Sequence, residues 1–157
     1  MEARLNLFAS PLANKLIKAF NGAGKAVEGT SIPAATLELV KIRASQINGC
    51  GFCLDMHTKD AAEAGETQQR LHMVGAWREA TVFTEAERAA LELAEQGTRI
   101  ADAAGGVPDE VWENAAKHYT EDELLALVAT IALINAYNRL NVVLQQPAGD
   151  YRPGQFA

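Results

Sequence analysis

The sequence predicts an all-α fold, a compact helical bundle, on three observations. Two Thr-x-x-Glu capping boxes, Thr84 with Glu87 and Thr120 with Glu123, each open a run with helical spacing of apolar residues. Glycines at positions 49 and 65 stand where two other such runs stop. No run of period-2 alternation bounded by Asn-Gly or Asp-Gly turns is present, so strands have no starting point.

In chain order, a first helix over Leu12–Ala26 carries Leu12, Leu16, Ile17 and Phe20 on one stripe, with Gly22 and Gly24 loosening its end. In "SIPAATLELVKIRASQING", Pro33 suits a first helical turn and Leu37, Val40 and Ala44 recur at helical spacing, which predicts a helix over 34–48 stopped by Gly49. The next helix starts at the two cysteines and runs to Gly65, and a shorter one spans Thr67–Arg78. Thr84 opens another, and Pro108 followed by Asp109 and Glu110 places acidic groups at the positive end of a further one. Thr120 opens the long last helix "EDELLALVATIALINAYNRLNVVLQ". The tail, about 146–157, holds two prolines and two glycines in "QPAGDYRPGQFA" and should be irregular. One domain over 1–157 is expected, with the Cys-x-x-Cys at the N-terminus of a central helix.

With 14 Lys plus Arg against 20 Asp plus Glu, the net charge of −6 repels a phosphate backbone, so no nucleic-acid partner is expected. Asn6, Ser10, Pro11, Asn14 and Lys15 interrupt the N-terminal region where a signal peptide would be continuously apolar, which points to a cytoplasmic protein. The best apolar run, "LVATIALI", falls short of the ~20 residues a spanning helix needs, so no membrane association is expected. Two cysteines are too few for a disulfide framework, and a reducing compartment keeps an ordinary pair as thiols. Their spacing is therefore the informative fact.

Cys50, Cys53 and His57 lie within "QINGCGFCLDMH". A helix turns about 100° and rises about 1.5 Å per residue, which puts Cys53 about 60° and His57 about 20° around from Cys50, on one face. First-turn residues three apart have Cα atoms roughly 5 Å apart, inside the ~4.4–6.8 Å range of a disulfide. The unpaired N–H groups and dipole of a helix start favour a thiolate, and a thiol there beside a potential imidazolium can fall from about 8.5 to between ~3.5 and 7.5. His57, four residues after Cys53, is placed to take or return a proton. If the chain folds back at Gly49, Glu38 and His57 differ in height by only about 4–5 Å, and a Glu–His–Cys relay is within reach. Glu38 could instead be a solvent-facing carboxylate paired with Lys41.

Three readings of the pair stay open on the residues alone. Zinc would need Cys50, Cys53, His57 and a distant His72 or His118, since a closed site takes four ligands. Two buried thiols could be structural, because free Cys behaves as a small hydrophobe. Redox chemistry is the third. A thioredoxin-like host is excluded by the absence of βαβ units, so the host is helical.

Outside the motif, His72 and His118 read as surface or helix-end residues, and Trp77, Phe83, Trp112 and Tyr119 as core or subunit contacts. Asn135, Asn138, Arg139 and Asn141 are polar in an apolar helix and must find partners on a neighbouring helix or subunit, or beside the thiol pocket. Tyr151 and the tail could pack across a subunit boundary.

The run "ELVKIRASQINGCGFCLDMHTKDA", with its Glu-x11-Cys-x2-Cys-x3-His spacing, resembles the core motif of the alkylhydroperoxidase D and carboxymuconolactone decarboxylase superfamily. "FTEAERAALELAEQGT" and "IALINAYNRLNVV" are similar to it as well, so the resemblance covers roughly residues 30–145. It implies an all-helical homo-oligomer, a trimer or hexamer, that reduces organic or hydrogen peroxide and needs no cofactor. Cys53 would attack the peroxide and become a sulfenic acid, Cys50 would resolve it to a disulfide, and Glu38 and His57 would relay the proton. A thiol reductant, by family precedent a lipoyl-bearing protein, would reopen the disulfide. The best-known members carry a second histidine where Phe52 stands here, which shortens the relay. The alternatives are a non-catalytic redox-sensing or assembly module, or an enzyme like the decarboxylase branch, which lacks the cysteine pair.

Overall fold

The computed structural model describes residues 2–7, 9–27 and 29–156; Met1, Phe8, Glu28 and Ala157, which the 1–157 domain expectation includes, lie outside the described residues. Among the described residues there are seven α-helices and no strand: α1 Pro11–Ala26, α2 Ala34–Asn48, α3 Gly51–Glu63, α4 Gln68–Met73, α5 Glu85–Thr98, α6 Asp109–Ala116 and α7 Glu121–Val143. Among the described residues the tail after Leu144 carries no helix, in keeping with its prolines and glycines.

Helix α2 runs through the middle because it is apolar on three sides. Leu39 and Ile42 pack with Leu71, Trp77, Phe83 and Leu91. Val40 packs with Leu93, Ala94, Leu127 and Ile131 from α5 and α7. Ala44 packs with Cys50, Cys53 and Ile134. A fully buried Leu or Ile contributes about 1.5–3 kcal/mol, so this single helix ties α3, α5 and α7 into one core.

Both capping boxes form. Thr84 Oγ1 accepts from the Glu87 N–H and Glu87 Oε2 from the Thr84 N–H, at 3.2 and 2.8 Å. The same pair of bonds joins Thr120 and Glu123. The Thr67–Arg78 helix is shorter than its sequence suggests: α4 ends at Met73 and continues as a 3-10 turn over Val74–Ala76, where Gly75 weakens the α-helical preference. Trp77, Phe83 and Tyr119 are core residues, whereas Trp112 is 44% exposed and lies outside it.

Two expectations change. The stripe of α1 is only partly used: Ala13 faces inward, Phe20 meets the edge of Tyr137 on α7, and Leu12 remains 75% exposed with Leu16 beside it. One helix packing against one neighbour covers a narrower arc than the apolar stripe. Helix α7, by length and composition, is long and apolar enough to cross a membrane, contrary to the reading of its apolar run. In the fold it is the helix that closes the core, through Leu124, Leu127, Ile131 and Ile134, and it buries Asn135, Asn138 and Asn141 among them.

The connection from α2 to α3 positions the motif. Gly49 sits at φ +64°, ψ +31°, a left-handed conformation in which glycine avoids the Cβ clash other residues meet. The Gly49 N–H donates to Gln46 O and the Cys50 N–H to Ser45 O, closing the end of α2. Two residues later α3 has begun, folded back along α2.

Candidate active site

Cys50 caps the N-terminus of α3 with extended backbone, and its carbonyl accepts the first helical bond, from the Leu54 N–H. Cys53 and His57 follow on the inward face, both buried. From α2 comes Glu38. Its Oε2 lies 2.8 Å from His57 Nδ1 and its Oε1 2.7 Å from Lys41 Nζ, so the relay contact and the ion pair with Lys41 coexist on one carboxylate. Burial alone would raise the Glu38 carboxyl; the His57 hydrogen bond and charge, with Lys41, outweigh it and hold it down to about 2. An anionic Glu38 fixes the tautomer that carries the proton on Nδ1, which leaves Nε2 with the lone pair that can accept one.

The two cysteines are 1% exposed each, and their sulfurs hydrogen-bond to one another. They behave as one unit sharing a proton. Cys50 accepts from Cys53 and, against the cost of burial, is lowered to about 7, with help from Asn138 and Asn141. Cys53 is pushed up by its bond to Cys50, then by burial and by the charge on Cys50. At rest the negative charge is therefore drawn to Cys50, and Cys53 becomes the anion only when the shared proton moves.

Helix α7 supplies the opposite wall. Asn141 Nδ2 donates to Cys53 Sγ at 3.4 Å. Asn138 Nδ2 donates to Ser45 Oγ at 3.0 Å, and Asn135 Nδ2 to Thr98 Oγ1 at 3.1 Å and Ile131 O at 2.8 Å. Asn48 Nδ2 on α2 donates to both Asn135 Oδ1 and Asn138 Oδ1, at 2.9 Å each. Both readings of this polar set hold: Asn135 and Asn138 bind neighbouring helices, and Asn138 and Asn141 bear on the thiols. Exposed Arg139 turns back onto Asn135 of its own helix.

Phe52 and Tyr137 pack against the same small cluster, Tyr137 with its hydroxyl 2.5 Å from Asn21 Oδ1 of α1. Tyr137 gave no warning in the sequence; its only signal is its place one turn before Asn141 on α7. The tail lies on its own α3: Asp55 Oδ2 accepts from the Gly149 and Tyr151 N–H groups, Tyr151 donates to Asp60, and Phe156 meets Phe52 at 6.1 Å between ring centres. Tyr151 thus packs within its own chain. His72 and His118 are exposed on other parts of the fold, and among the described residues no three of His, Cys, Asp and Glu converge as a metal site.

An all-helical bundle with a buried dithiol at a helix start and a Glu–His pair on the same face defines a class of helical thiol proteins. The carboxymuconolactone decarboxylase family model matches residues 11–96, and the chain belongs to that family. The uncharacterized protein YdfG of Bacillus subtilis is 44% identical over 120 residues, 76% of this chain and 80% of its own length. A crystal structure of a protein of unknown function from Agrobacterium tumefaciens, proposed there as an AhpD antioxidant defence protein, superposes with a TM-score of 0.86 at 33% identity, covering 96% of this chain and all of that one. The alkyl hydroperoxide reductase AhpD of Methylocella silvestris is 47% identical over a stretch of 38 residues, 24% of this chain and 21% of its own.

The Glu38 geometry has a pH consequence. Its folded-state value lies below its ordinary 4.5, so the stability it contributes is present above about 4.5 and is lost as pH falls towards 2. In denaturant unfolding, the stability gap between the wild-type protein and Glu38→Gln should be widest near neutral pH and close over that acidic window. A gap independent of pH contradicts the Glu38–His57 contact.

Proposed function

We propose that the protein is a thiol-dependent peroxidase, reducing organic or hydrogen peroxide through a Cys53/Cys50 cycle with Glu38 and His57 as proton relay. The observation that supports it most is the 2.8 Å Glu38–His57 bond on the helix face that carries both thiols. In this cycle His57 Nε2 takes one proton from the thiol pair, and the proton that remains moves onto Cys50, which leaves Cys53 as the thiolate. The thiolate attacks the terminal peroxide oxygen; the S–O bond forms, the O–O bond breaks, and the leaving alkoxide takes the proton back from His57 as the alcohol. Cys50 then attacks the sulfenic sulfur, an S–S bond forms, and hydroxide leaves as water with the proton from Cys50. A dithiol reductant, with a lipoyl-bearing protein as the family precedent, restores both thiols by exchange and supplies the two electrons.

The burial of both sulfurs favours a second reading, a redox-sensing or assembly module whose disulfide changes its contacts. For the peroxidase, peroxide must reach a buried Cys53, and Phe52 and Tyr137 are the partly buried side chains packed against its cluster. Turnover with a recycling dithiol separates the two, since only the enzyme consumes peroxide in excess of its own thiols; the variants test the roles of the cysteines in it. Cys53→Ser should abolish peroxide consumption, and Cys50→Ser should leave a sulfenic acid that a dimedone probe traps. Undiminished turnover in both variants sinks the peroxidase.

We further propose a cytoplasmic homo-oligomer, with a trimer or hexamer as the state the family resemblance implies; the apolar surface left open supports the association. Leu125 is 66% exposed on α7, and Val128 and Val143 share its side of the helix, with Leu12 and Leu16 exposed on neighbouring α1. In sedimentation velocity, the wild-type protein should run as an oligomer and Leu125→Asp as smaller species; a wild-type monomer rules this assembly out.

A further inference from the structure

We propose that Asn141 is a catalytic residue of the thiol site, donating through Nδ2 to Cys53 Sγ and stabilising the anion from which attack on a peroxide begins. This rests on Cys53 being the attacking thiol.

Geometry singles Asn141 out from the other amides of α7. Asn135 directs its N–H groups to Thr98 and to its own helix; Asn138 donates to Ser45 and also bears on both thiols, so its bond to Ser45 ties α7 to α2, whereas the hydrogen bond of Asn141 goes to Cys53 Sγ itself. Asn141 lies two turns after Ile134, which packs on the cysteines, and its Nδ2 lies 3.4 Å from Cys53 Sγ. An N–H group gains little from a neutral thiol, a weak acceptor, and much more from a thiolate, because charge-assisted hydrogen bonds are roughly twice as strong as neutral ones. The donor therefore favours the anion over the thiol. Burial strengthens this preference, since water is not there to compete for the sulfur. The amide carries no titrating proton, so its effect is the same at every working pH. Phe52, between the cysteines, can supply neither a charge nor a hydrogen bond, and the amide reaching over from α7 offsets part of that loss.

The structural alternative is that Asn141 merely satisfies a buried amide. The two are separated by the ionisation of Cys53 measured alone, in a Cys50→Ser background that removes the shared proton. The other titratable groups facing Cys53 are His57 on α3, with Glu38 and Lys41 of α2 behind it, and Tyr137 on α7; all remain in every variant. The rate of iodoacetamide alkylation is followed against pH for Asn141, Asn141→Leu and Asn141→Gln, with Asn141→Ala in place of the leucine variant if that one does not fold. Loss of the donor should move the midpoint of the profile up by about one pH unit, which is about tenfold slower alkylation below the midpoint. Asn141→Gln should recover part of that shift. Superimposable profiles in folded variants overturn the inference. A shifted profile in a protein that consumes no peroxide leaves the role of Asn141 in ionising Cys53 standing and removes the peroxidase reading. Peroxide turnover with unchanged profiles does the reverse.

Discussion

The hydrogen bond between Glu38 on α2 and His57 on α3 is the contact on which the rest of the site depends. It forms only because Gly49 takes a left-handed conformation and reverses the chain, so that positions 19 residues apart in sequence meet at one level. A mostly buried carboxylate is costly unless charge and hydrogen bonds answer it. Here His57 and Lys41 both do, and Glu38 stays ionised. With Glu38 anionic, the imidazole is held by Nδ1 and presents Nε2 as the basic nitrogen. A local turn, a buried charge and the tautomer of one histidine are thus a single arrangement.

Against that arrangement stands α7, which has the composition of a spanning helix and the role of a core helix. Its buried asparagines account for the difference. Asn48 accepts no choice of register: it donates to both Asn135 and Asn138, which requires α7 to stand at one height against α2. Apolar packing alone tolerates sliding, whereas buried amides must each find a partner. Among the described residues no buried side-chain nitrogen or oxygen lacks one. The same register carries Asn141 to the sulfur of Cys53, so the bonds that align the helices also place a donor at the thiol.

What the sequence revealed follows the range of the interactions involved. The capping boxes at Thr84 and Thr120, the stop at Gly49 and the shared face of Cys50, Cys53 and His57 are consequences of helix geometry within a few residues, and each was legible. The Glu38 contact was legible because one sharp turn makes a 19-residue separation geometrically short. The contact of Asn141 with Cys53 spans 88 residues and depends on how α7 docks, which periodicity does not encode. The same holds for Tyr137, and for the tail, whose Tyr151 folds onto its own α3. The outward turn of Leu12 and Leu16 was hidden for a different reason: an apolar stripe states that a face will be covered, not which neighbour covers it. Nor does spacing show which cysteine holds the charge at rest, since that follows from burial and from a bond between the two sulfurs.

The dithiol, the oriented imidazole and the amide donor are the groups that the proposed peroxide chemistry uses. The measurement that tests this most directly is steady-state consumption of a panel of alkyl hydroperoxides and hydrogen peroxide by the wild-type protein, recycled by dihydrolipoamide. The account predicts that peroxide continues to be consumed far beyond one equivalent per dithiol, with the dihydrolipoamide oxidised in equal amount. Consumption that stops at one equivalent, with the protein left as its disulfide despite excess reductant, would contradict it.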